Sequence, residues 1–514
     1  MYSKVKTYIS EGMQAETMWI EATILNGFPS FHMSGMNSRS SSMMESRLRA
    51  SFHHAGYKWP HGRIILALTP ALSDSAPQDN SLDLPAALAL LAADGQIKQN
   101  PESEEGGKAY LGALSLDSSL LPLSDLLPCL KKAEEDPDCT LVLPRVNQTE
   151  MDAFEGIRTC FCSNLEEGVD AFRGLRPDQI NQAGEHTKRR KSDWSHWRYY
   201  KGQESALMAV EIACAGWHPL LLLGSPGSGK SSLCHLASEL LPDLSPIEQL
   251  ETERIWQLAG KRISAELQEA KRPFVQTHHT VSVGNLTGGG RPPRPGAFSL
   301  SHHGILFTDE IMEMKAETLD CFREPLDNAA IGLSRTSHID IYPADFLWLA
   351  AGNPCRCGMA FEEAGTRCRC SPQTRRLYER RFHHPAMERF HLCVCMKSFS
   401  HANDRESPPA ESYFEEMKER VQMAWKLQMK RYMKLEGRPL LNGRCPPNFR
   451  AEDLDCPDPV SKLATELCLG HQQSLRRMRQ LLLVSRTAAD LRCAQEIKEE
   501  DVYLAHSYIM REYL

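Results

Sequence analysis

Apolar and polar positions along the first 175 residues form two alternating patterns. Short apolar runs such as "RIILALTP" and "CTLVLP" predict buried strands, because they are too short for helices. Longer stretches such as "MMESRLRASFHHAGY" and "LPAALALLAADGQI" have the length and composition of helices. Strands that alternate with helices indicate an α/β domain, and we place it at residues 1–175.

The rest of the chain divides at two polar stretches. The basic segment "RPDQINQAGEHTKRRKSDW" predicts a linker at residues 176–196, and a second α/β pattern follows at 197–397. After the break "SHANDRESPPAESY" the pattern is helical without a convincing strand. Residues 398–514 are therefore interpreted as a linker and a C-terminal helical domain, and the fold class as α/β and multidomain.

The strongest motif is "LLLLGSPGSGKSSLCHLASELL", in which an apolar strand leads through a glycine-rich loop into an amphipathic helix. Glycines let backbone N–H groups surround a phosphate, and the N-terminus of the helix favours negative charge. Lys230 is predicted to reach the β- and γ-phosphates of a nucleotide, and the hydroxyl of Ser231 to bind Mg²⁺. The predicted nucleotide-binding residues are Gly224, Ser225, Pro226, Gly227, Ser228, Gly229, Lys230, Ser231 and Ser232.

Two further strand ends carry polar residues that suit ATP hydrolysis. In "HGILFTDEI", Asp309 is predicted to hold the Mg²⁺ shell and Glu310 to polarise the attacking water. In "DFLWLAAGNP", Asn353 can donate and accept hydrogen bonds, which suits orienting a water near the γ-phosphate. Core strands often end in an acid, and an Asn before Pro often caps a loop. Beside the phosphate loop, however, these residues predict an ATPase.

Composition bounds the class of protein. The 514 residues, 41% hydrophobic and 24% charged, are ordinary for a globular protein of several domains. The N-terminus lacks the apolar core of a signal peptide, and the longest apolar run, "LPAALALLAA", is about half of a membrane span. We expect a cytoplasmic protein without a membrane partner.

Charge is uneven along the chain. The formal net charge of −7 does not suggest bulk nucleic-acid binding. Locally, residues 367–381 contain six arginines against one acid, Glu379, and residues 188–191 form the basic cluster "KRRK". Such runs are either solvated faces or phosphate contacts, and taken alone they favour the solvated face.

Seventeen cysteines in a chain of this size argue for free thiols or a metal and against a disulfide framework. Four of them form two Cys-x-Cys pairs after Asn353, with ten residues between the pairs. Their number suits a tetrahedral zinc site, although the spacing is tighter than usual. Free thiols are the alternative, Cys393 and Cys395 are competing ligands, and no thioredoxin-type redox motif matches. The candidate zinc ligands are Cys355, Cys357, Cys368 and Cys370.

Paired histidines raise a second metal hypothesis. They are His278 with His279, and His302 with His303, and both pairs precede Asp309 in the sequence. Histidines that flank a nucleotide site more often pack or form hydrogen bonds than bind metal, and we favour that interpretation.

The motifs, in their order, resemble those of the YifB/ComM family of magnesium-chelatase-like AAA+ ATPases. In the first domain the resemblance rests on "NGFPSFHMSGM", "MESRLRASFHHAGYKWP" and "SLDLPAALALLAADGQI". In the second it rests on "KGQESALMAVEIACAGWHPLLLLGSPGSGKS", "THHTVSVGNLTGGGRPPRPGAFSLSHHGILFTDEI" and "CFREPLDNAAIGLSRTSHIDIYPADFLWLAAGNPCRCG". In the last it rests on "SLRRMRQLLLVSRTAADLRCAQEIKEEDVYLAHSYI". The resemblance covers nearly the whole chain.

The resemblance implies a Lon-protease-like N-terminal domain of the ribosomal-protein S5 domain 2 type, an AAA+ P-loop core and a helical lid. It implies ATP and Mg²⁺ as cofactors, and ATP-dependent assembly into a homohexamer. It also implies a DNA helicase that promotes branch migration in recombination or natural transformation. Single-stranded or branched DNA and recombination proteins are then the expected partners.

The resemblance also implies roles for single arginines. Arg389, in "PAMERFHL", matches the arginine finger that acts on the ATP of a neighbouring subunit, although Glu388 and His391 replace the acids usual beside it. Arg476, in "HQQSLRRM", matches the lid arginine that reports the nucleotide state, with Arg477 and Arg479 as alternatives. Hairpins that face the ring channel in related helicases, or else are ordinary surface hairpins, carry Arg291, Arg294 and Arg335.

Two functions compete at this point. One is an ATP-driven hexameric DNA motor, and the other is a protein-remodelling or chelatase-type ATPase that does not act on DNA, which the net charge favours. Proteolysis is a third, disfavoured function, because Lon-type chemistry needs a serine nucleophile supported by a lysine. Ser81 in "DNSLDLPAALAL" has no identifiable partner of this kind.

Overall fold

The chain divides into two compact units, one of residues 1–188 with 245–254 and the other of residues 189–244 with 255–514. The basic cluster at 188–191, Arg291 and Arg335 lie outside the residues described here. The computed structural model describes residues 2–34, 36, 38–70, 80–98, 107–123, 126–154, 156–181, 203–290, 293–334, 339–359, 368–396, 411–470 and 474–509.

The first unit contains two four-stranded sheets. Its strands are β1 (Tyr2–Glu11), β2 (Gln14–Leu25), β3 (Ser30–Ser34), β4 (Arg63–Thr69), β5 (Lys108–Tyr110), β6 (Ala113–Leu114), β7 (Leu120–Leu121), β8 (Thr140–Pro144), β9 (Arg158–Cys162) and β10 (Gln179–Ile180). One sheet has the order β1-β2-β4-β3, with only the β3–β4 pair parallel. The other has the order β10-β9-β8-β5, with only the β10–β9 pair antiparallel.

Helices cover the sheets of the first unit. They are α1 (Ser38–His54), α2 (Asp83–Ala93), α3 (Leu127–Glu134) and α4 (Leu165–Phe172). Nearly every residue of α2 is buried, which explains its uniformly apolar sequence. The side chain of Asp83 is also buried, and Arg47 donates to it at 2.7 and 2.9 Å, so the charge is compensated. The strands and helices predicted from the four quoted runs are confirmed.

The second unit is built on a five-stranded parallel sheet with the order β12-β15-β18-β11-β19. Two short hairpins, β13–β14 and β16–β17, accompany it. The strands are β11 (Leu220–Gly224), β12 (Phe274–Thr277), β13 (Gly288–Gly289), β14 (Arg294–Pro295), β15 (Ile305–Thr308), β16 (Ala330–Ser334), β17 (Ile339–Pro343), β18 (Leu347–Gly352) and β19 (Leu392–Met396). Strands β11 and β18 are buried throughout, as strands covered on both faces must be.

The helices of the second half of the chain fall into two groups. Those among the strands are α5 (Glu204–Gly216), α6 (Lys230–Leu240), α7 (Pro246–Leu258), α8 (Ala265–Gln268), α9 (Val283–Thr287), α10 (Ala297–Leu300), α11 (Ala316–Asp320), α12 (Arg323–Asn328) and α13 (Pro372–Phe382). Those after the sheet are α14 (Glu411–Glu436), α15 (Asp458–Gly470), α16 (Leu475–Leu491) and α17 (Glu499–Tyr508). Within residues 411–470 and 474–509 no strand occurs, as the helical pattern predicts.

The C-terminal helices share one hydrophobic core with the sheet and with α5. Nε1 of Trp425 in α14 donates to the carbonyl oxygen of Cys214 at 2.9 Å, and Gln428 donates to that of Ala215 at 3.0 Å. These bonds satisfy carbonyl groups at the end of α5 that have no partner within the helix. Helix α14 is therefore fixed to α5 by polar as well as apolar contacts.

Two histidines meet between the sheet and helix α16. Nδ1 of His218 lies 2.8 Å from Nδ1 of His391, and Nε2 of His218 lies 2.7 Å from Oγ1 of Thr487. Burial lowers the pKa of His218 to about 3. Burial, the neighbouring histidine and nearby arginines hold the pKa of His391 well below its usual value. Both imidazoles are therefore neutral in the folded protein at neutral pH.

We expect acid to destabilise the protein through this pair. An unfolded histidine takes up a proton near pH ~6.5, whereas the folded sites stay neutral to a lower pH. Between the two pKa values the unfolded state binds more protons, so the free energy of unfolding falls by about 1.4 kcal/mol per histidine for each pH unit. Denaturant unfolding at pH 7 and pH 5 measures this loss. His218→Gln should reduce the loss, and an equal loss in that variant would contradict the assignment.

Candidate functional site

The loop between β11 and α6 has the backbone shape that its glycines predict. Gly227 and Gly229 have φ of 80° and 90°, in the left-handed region that favours glycine. A Cβ on Gly224 would lie 2.8 Å from Oγ of Ser228, so a side chain there would collide with the loop. Ser228 is buried, whereas Pro226 is exposed. The loop therefore forms a tight cradle with an exposed tip.

Lys230 is the first residue of α6 and lies buried beneath the loop. Its Nζ donates to the carbonyl oxygens of Gly224 at 2.9 Å and Ser225 at 2.8 Å. Burial lowers the pKa of Lys230, and the negative charge of Asp309 opposes this effect. A buried cation at the N-terminus of a helix is well placed to bind an anionic phosphate.

Asp309 and Asn353 reach the same edge of the sheet as the loop. Strand β15 pairs in parallel with β18 up to Thr308, and β18 pairs in parallel with β11 up to Gly352. Since the carboxyl ends of parallel strands meet at one edge, the next residue of each strand lies beside Lys230's loop. Asp309 and Asn353 are both half-buried there. The structure thus brings together the three predicted strand ends.

Two histidines that we did not assign to the site from the sequence lie beside Glu310. Its Oε2 lies 2.7 Å from Nδ1 of His279 and 3.3 Å from Nε2 of His278. Its φ of 51° is left-handed, and its N–H donates to Oδ1 of Asp309 at 2.9 Å. The histidines directly follow β12, which pairs with β15 up to Thr277 and Thr308. Knowledge that β12 pairs with β15 would have been needed to place the two histidines at the site.

Both histidine pairs have polar neighbours. The nitrogens of His278 and His279 and the carboxylate of Glu310 lie within 4.8 Å of one another. Nδ1 of His302 accepts a hydrogen bond from the N–H of Asp345 at 3.0 Å. Our preference for packing or hydrogen bonding over metal binding at these histidines stays a prediction.

Arg389 and Arg476 converge on one carboxylate. Nη2 of Arg389 lies 2.5 Å from Oδ2 of Asp327, and Nη2 of Arg476 lies 3.7 Å from Oδ1. The other two arginines of the C-terminal motif donate to backbone carbonyl oxygens. Arg477 donates to that of Phe390 at 3.0 Å, and Arg479 donates to that of Cys445. Among these three, Arg476 is the one that lies with Arg389.

Exposed arginines lie on α13, the helix after the cysteine pairs. Arg375, Arg376 and Arg380 are exposed, and the fourth arginine of the helix, Arg381, is half-buried and donates to Glu313 at 3.2 Å. Tyr378 donates to the same carboxylate. Helix α13 is therefore tied to the turn that follows Glu310.

The channel-type hairpins are described only in part. Arg291 and Arg335 are outside the described residues, while Arg294 in β14 is exposed. The β16–β17 hairpin pairs Ala330 with Pro343 at its base. The role of these hairpins in a ring channel stays a prediction.

The four cysteines predicted as zinc ligands come together. Their Sγ atoms all lie within 4.8 Å of one another, and Cys393 and Cys395 in β19 are not in the group. Cys355 is buried, and the other members of the group are half-buried. Sequence spacing alone could not decide which cysteines meet.

Three segments of this chain match segments of the magnesium chelatase family. They are described as "Subunit ChlI of Mg-chelatase" at residues 20–147, "Magnesium chelatase, subunit ChlI" at residues 197–403, and "Magnesium chelatase, subunit ChlI C-terminal" at residues 412–509. The chain is 32% identical to YifB of Escherichia coli, over 98% of this chain and 96% of that protein. It is 30% identical to the competence protein ComM of Haemophilus influenzae, over 97% and 96%.

The chain belongs to the YifB/ComM family of magnesium-chelatase-like AAA+ ATPases. The resemblance stated from the motifs is thereby confirmed. A more distant similarity, 22% identity over 30% of this chain, extends to the magnesium-chelatase 67 kDa subunit of Chlorobaculum parvum. Membership indicates ATPase activity with nucleotide and Mg²⁺. The Lon-protease-like assignment of the first unit and the domain boundaries stay predictions.

The residues of the site fit a nucleotide with Mg²⁺. The tight loop, the buried amine of Lys230 and the carboxylate of Asp309 supply N–H donors, a cation and an oxygen ligand. Ser231, half-buried in the first turn of α6, and Asp309 would hold Mg²⁺, which would neutralise phosphate charge. Glu310 would accept a proton from the attacking water, and Asn353 would orient that water.

No helix in the described part of the chain is both long enough and apolar enough to cross a membrane.

Replacement of Lys230 tests the site directly. Lys230→Ala removes the buried cation, so we expect phosphate release from ATP to fall on the order of 100-fold or more. Exposed Lys261, which lies over the ring of Trp256, supplies the matched control Lys261→Ala. Turnover is measured as phosphate release and nucleotide binding with a fluorescent ATP analogue. Wild-type turnover in Lys230→Ala would refute the assignment.

Proposed function

We propose that this protein is an ATP-driven motor that assembles as a homohexamer and acts on single-stranded or branched DNA in the cytoplasm. Its activity would be that of a helicase or branch-migration factor in recombination or natural transformation. The name of the Haemophilus influenzae relative, a competence protein, supports this biological setting. Recombination proteins are the partners that such a role requires.

The observation that carries the proposal is the exposed arginine face of α13. Arg375, Arg376 and Arg380 present three positive charges to solvent. Guanidinium groups bind phosphate oxygens of a nucleic acid without reading its bases, as a motor that moves along DNA requires. This local charge outweighs the chain's net charge of −7, because screened contacts depend on nearby charges.

The same helix is bonded to the turn that follows the catalytic carboxylate of Glu310. Tyr378 and Arg381 of α13 both bond to Glu313, three residues after Glu310. A force on the arginine face would therefore be passed to the turn that positions Glu310 and its histidine contacts. This connection gives DNA binding a physical route to the rate of ATP hydrolysis.

The paired arginines support assembly into a ring. Arg389 and Arg476 come from different elements and meet at Asp327, where Arg476 is 43% exposed on its side chain. Arginine charge stabilises the developing negative charge on a transferring phosphoryl group. In a ring, Arg389 would act on the ATP of the next subunit, and Asp327 would hold it beside Arg476, which would report the nucleotide state.

A protein-remodelling or chelatase-type ATPase that does not act on DNA is the second candidate. The family segments described as magnesium chelatase subunits favour it, as does the net negative charge. The two candidates differ in what raises the ATPase rate, so the same assay separates them.

We expect single-stranded and forked DNA to stimulate ATP hydrolysis. The triple variant Arg375→Ala, Arg376→Ala, Arg380→Ala should lose most of the stimulation but keep the rate without DNA. Exposed Arg438, far along the chain in the loop after α14, supplies the control Arg438→Ala. Since phosphate contacts release counterions, binding should weaken steeply with salt. Equal rates with and without DNA, together with no salt-sensitive binding, would favour the chelatase-type candidate.

Mixing of two inactive variants tests the ring. Arg389→Ala should be inactive because each site lacks its neighbour's arginine, and Glu310→Gln should be inactive because each site lacks its own carboxylate. A mixed ring places Arg389 of one subunit beside the intact Glu310 of another, so part of the activity should return. Size-exclusion chromatography with light scattering, with and without ATP, follows assembly. Full activity of Arg389→Ala alone would eliminate the role.

A further inference from the structure

The sulfur atoms of the four cysteines in the Cys-x-Cys pairs form one close group. Sγ of Cys355 lies 3.4 Å from that of Cys357 and 3.6 Å from that of Cys368, and the last two are 3.5 Å apart. Sγ of Cys370 completes the group within 4.8 Å. These separations exceed the ~2.0 Å of a disulfide and approach the ~3.8 Å between sulfurs that surround one tetrahedral Zn²⁺ at ~2.3 Å.

A backbone hydrogen bond fixes the turn that carries the first pair of cysteines. The N–H of Gly358 donates to the carbonyl of Cys355 at 2.9 Å and closes the turn between the first pair. The turn keeps Sγ of Cys355 and Sγ of Cys357 close enough to bind the same ion.

The charges around the group agree with an anionic metal centre. Zn²⁺ with four thiolates carries a net charge of about −2. Arg356 and Arg369, each adjacent to a cysteine of the group, are exposed, and Nη2 of Arg375 donates to the carbonyl oxygen of Cys368 at 3.2 Å. These positive charges lie where they would offset part of the negative charge of such a centre.

The chemistry of the donors selects the metal. Four sulfur donors exclude Mg²⁺ and Ca²⁺, which prefer oxygen, and favour zinc or iron. Sulfurs this close surround a single ion and leave no space for a cluster of irons and sulfides. With all four positions filled by protein, no site is left for water or substrate, so the ion is structural and not catalytic.

One turn of this group touches the phosphate loop. Gly358 has φ of 78°, and a Cβ there would lie 2.4 Å from Cδ of Pro226 and 3.4 Å from Cα of Ser225. The second pair of cysteines leads directly into α13, which begins at Pro372 and is tied to Glu313. The cysteine group therefore has the phosphate loop on one side and helix α13 on the other.

We infer that Cys355, Cys357, Cys368 and Cys370 hold one structural Zn²⁺, which braces the phosphate loop through the contact of Gly358 with Pro226. The ion joins the segment after Asn353 to the start of α13. The zinc site itself does not depend on the proposed function, whereas its bracing effect is measured through nucleotide binding.

Metal analysis of the full-length chain tests the site. Protein purified without chelator from zinc-replete cells should contain about one zinc per chain by mass spectrometry of the elements. Cys357→Ser and Cys370→Ser should lose the zinc, and Cys493→Ser, at an exposed cysteine outside the group, should keep it. Should either serine variant fail to fold, Co²⁺ bound to the wild-type chain should show the visible spectrum of tetrahedral thiolate coordination.

Three results would overturn the site. They are less than about 0.2 zinc per chain, iron in place of zinc, or a mass deficit of about 2 Da for a disulfide between cysteines of the group. Zinc retained by both serine variants would also overturn it, because loss of a thiolate must break a closed site.

The bracing effect has its own experiment. Gly358→Ala should keep its zinc but bind a fluorescent ATP analogue on the order of tenfold or more weakly, because the added methyl displaces Pro226. Removal of zinc from the wild type by a chelator should weaken binding similarly, and zinc should restore it. Equal affinity with and without zinc would refute the bracing. No nucleotide binding by the zinc-loaded wild type would instead refute the ATPase, while the zinc content would stand.

Discussion

Parallel pairing of β11 with β18, and of β18 with β15, brings the residues of the site together. Parallel strands place their carboxyl ends at a common edge, so the polar residues that follow each strand meet although they are far apart in sequence. The phosphate loop, Asp309 and Asn353 are neighbours for this reason. The same rule brings His278 and His279, which follow β12, beside Glu310. A shift of one residue in any pair would move a catalytic group by more than 3 Å.

The parts of the site that sequence could predict are those with local causes. The phosphate loop needs glycines because its backbone visits the left-handed region, and that requirement is visible in the motif. Asp309 and Asn353 could be placed because each ends an apolar run that is long enough to be a strand. Helix α2 was predicted by length, since its buried position removes the amphipathic pattern.

The parts that sequence could not predict depend on distant neighbours. The contact of His279 with Glu310 requires knowing that β12 lies next to β15. Asp327 contacts both Arg389 and Arg476, and only the fold brings these two separate segments to it. Likewise, the sequence could not show that Arg477 and Arg479 donate to backbone carbonyl oxygens, which leaves Arg476 as the arginine that lies with Arg389.

The bonds from Trp425 and Gln428 to the end of α5 have a consequence for how the protein can be divided. The matched segments at 197–403 and 412–509 are separate units of sequence, but their apolar side chains form one core. A fragment that stops after β19 would expose the face of α5 that α14 covers and leave carbonyl groups there without partners. Gene fragments cut at the boundary between these two segments would therefore encode halves that need each other to fold. A gene that gains the ATPase segment must then also gain the segment that encodes the C-terminal helices.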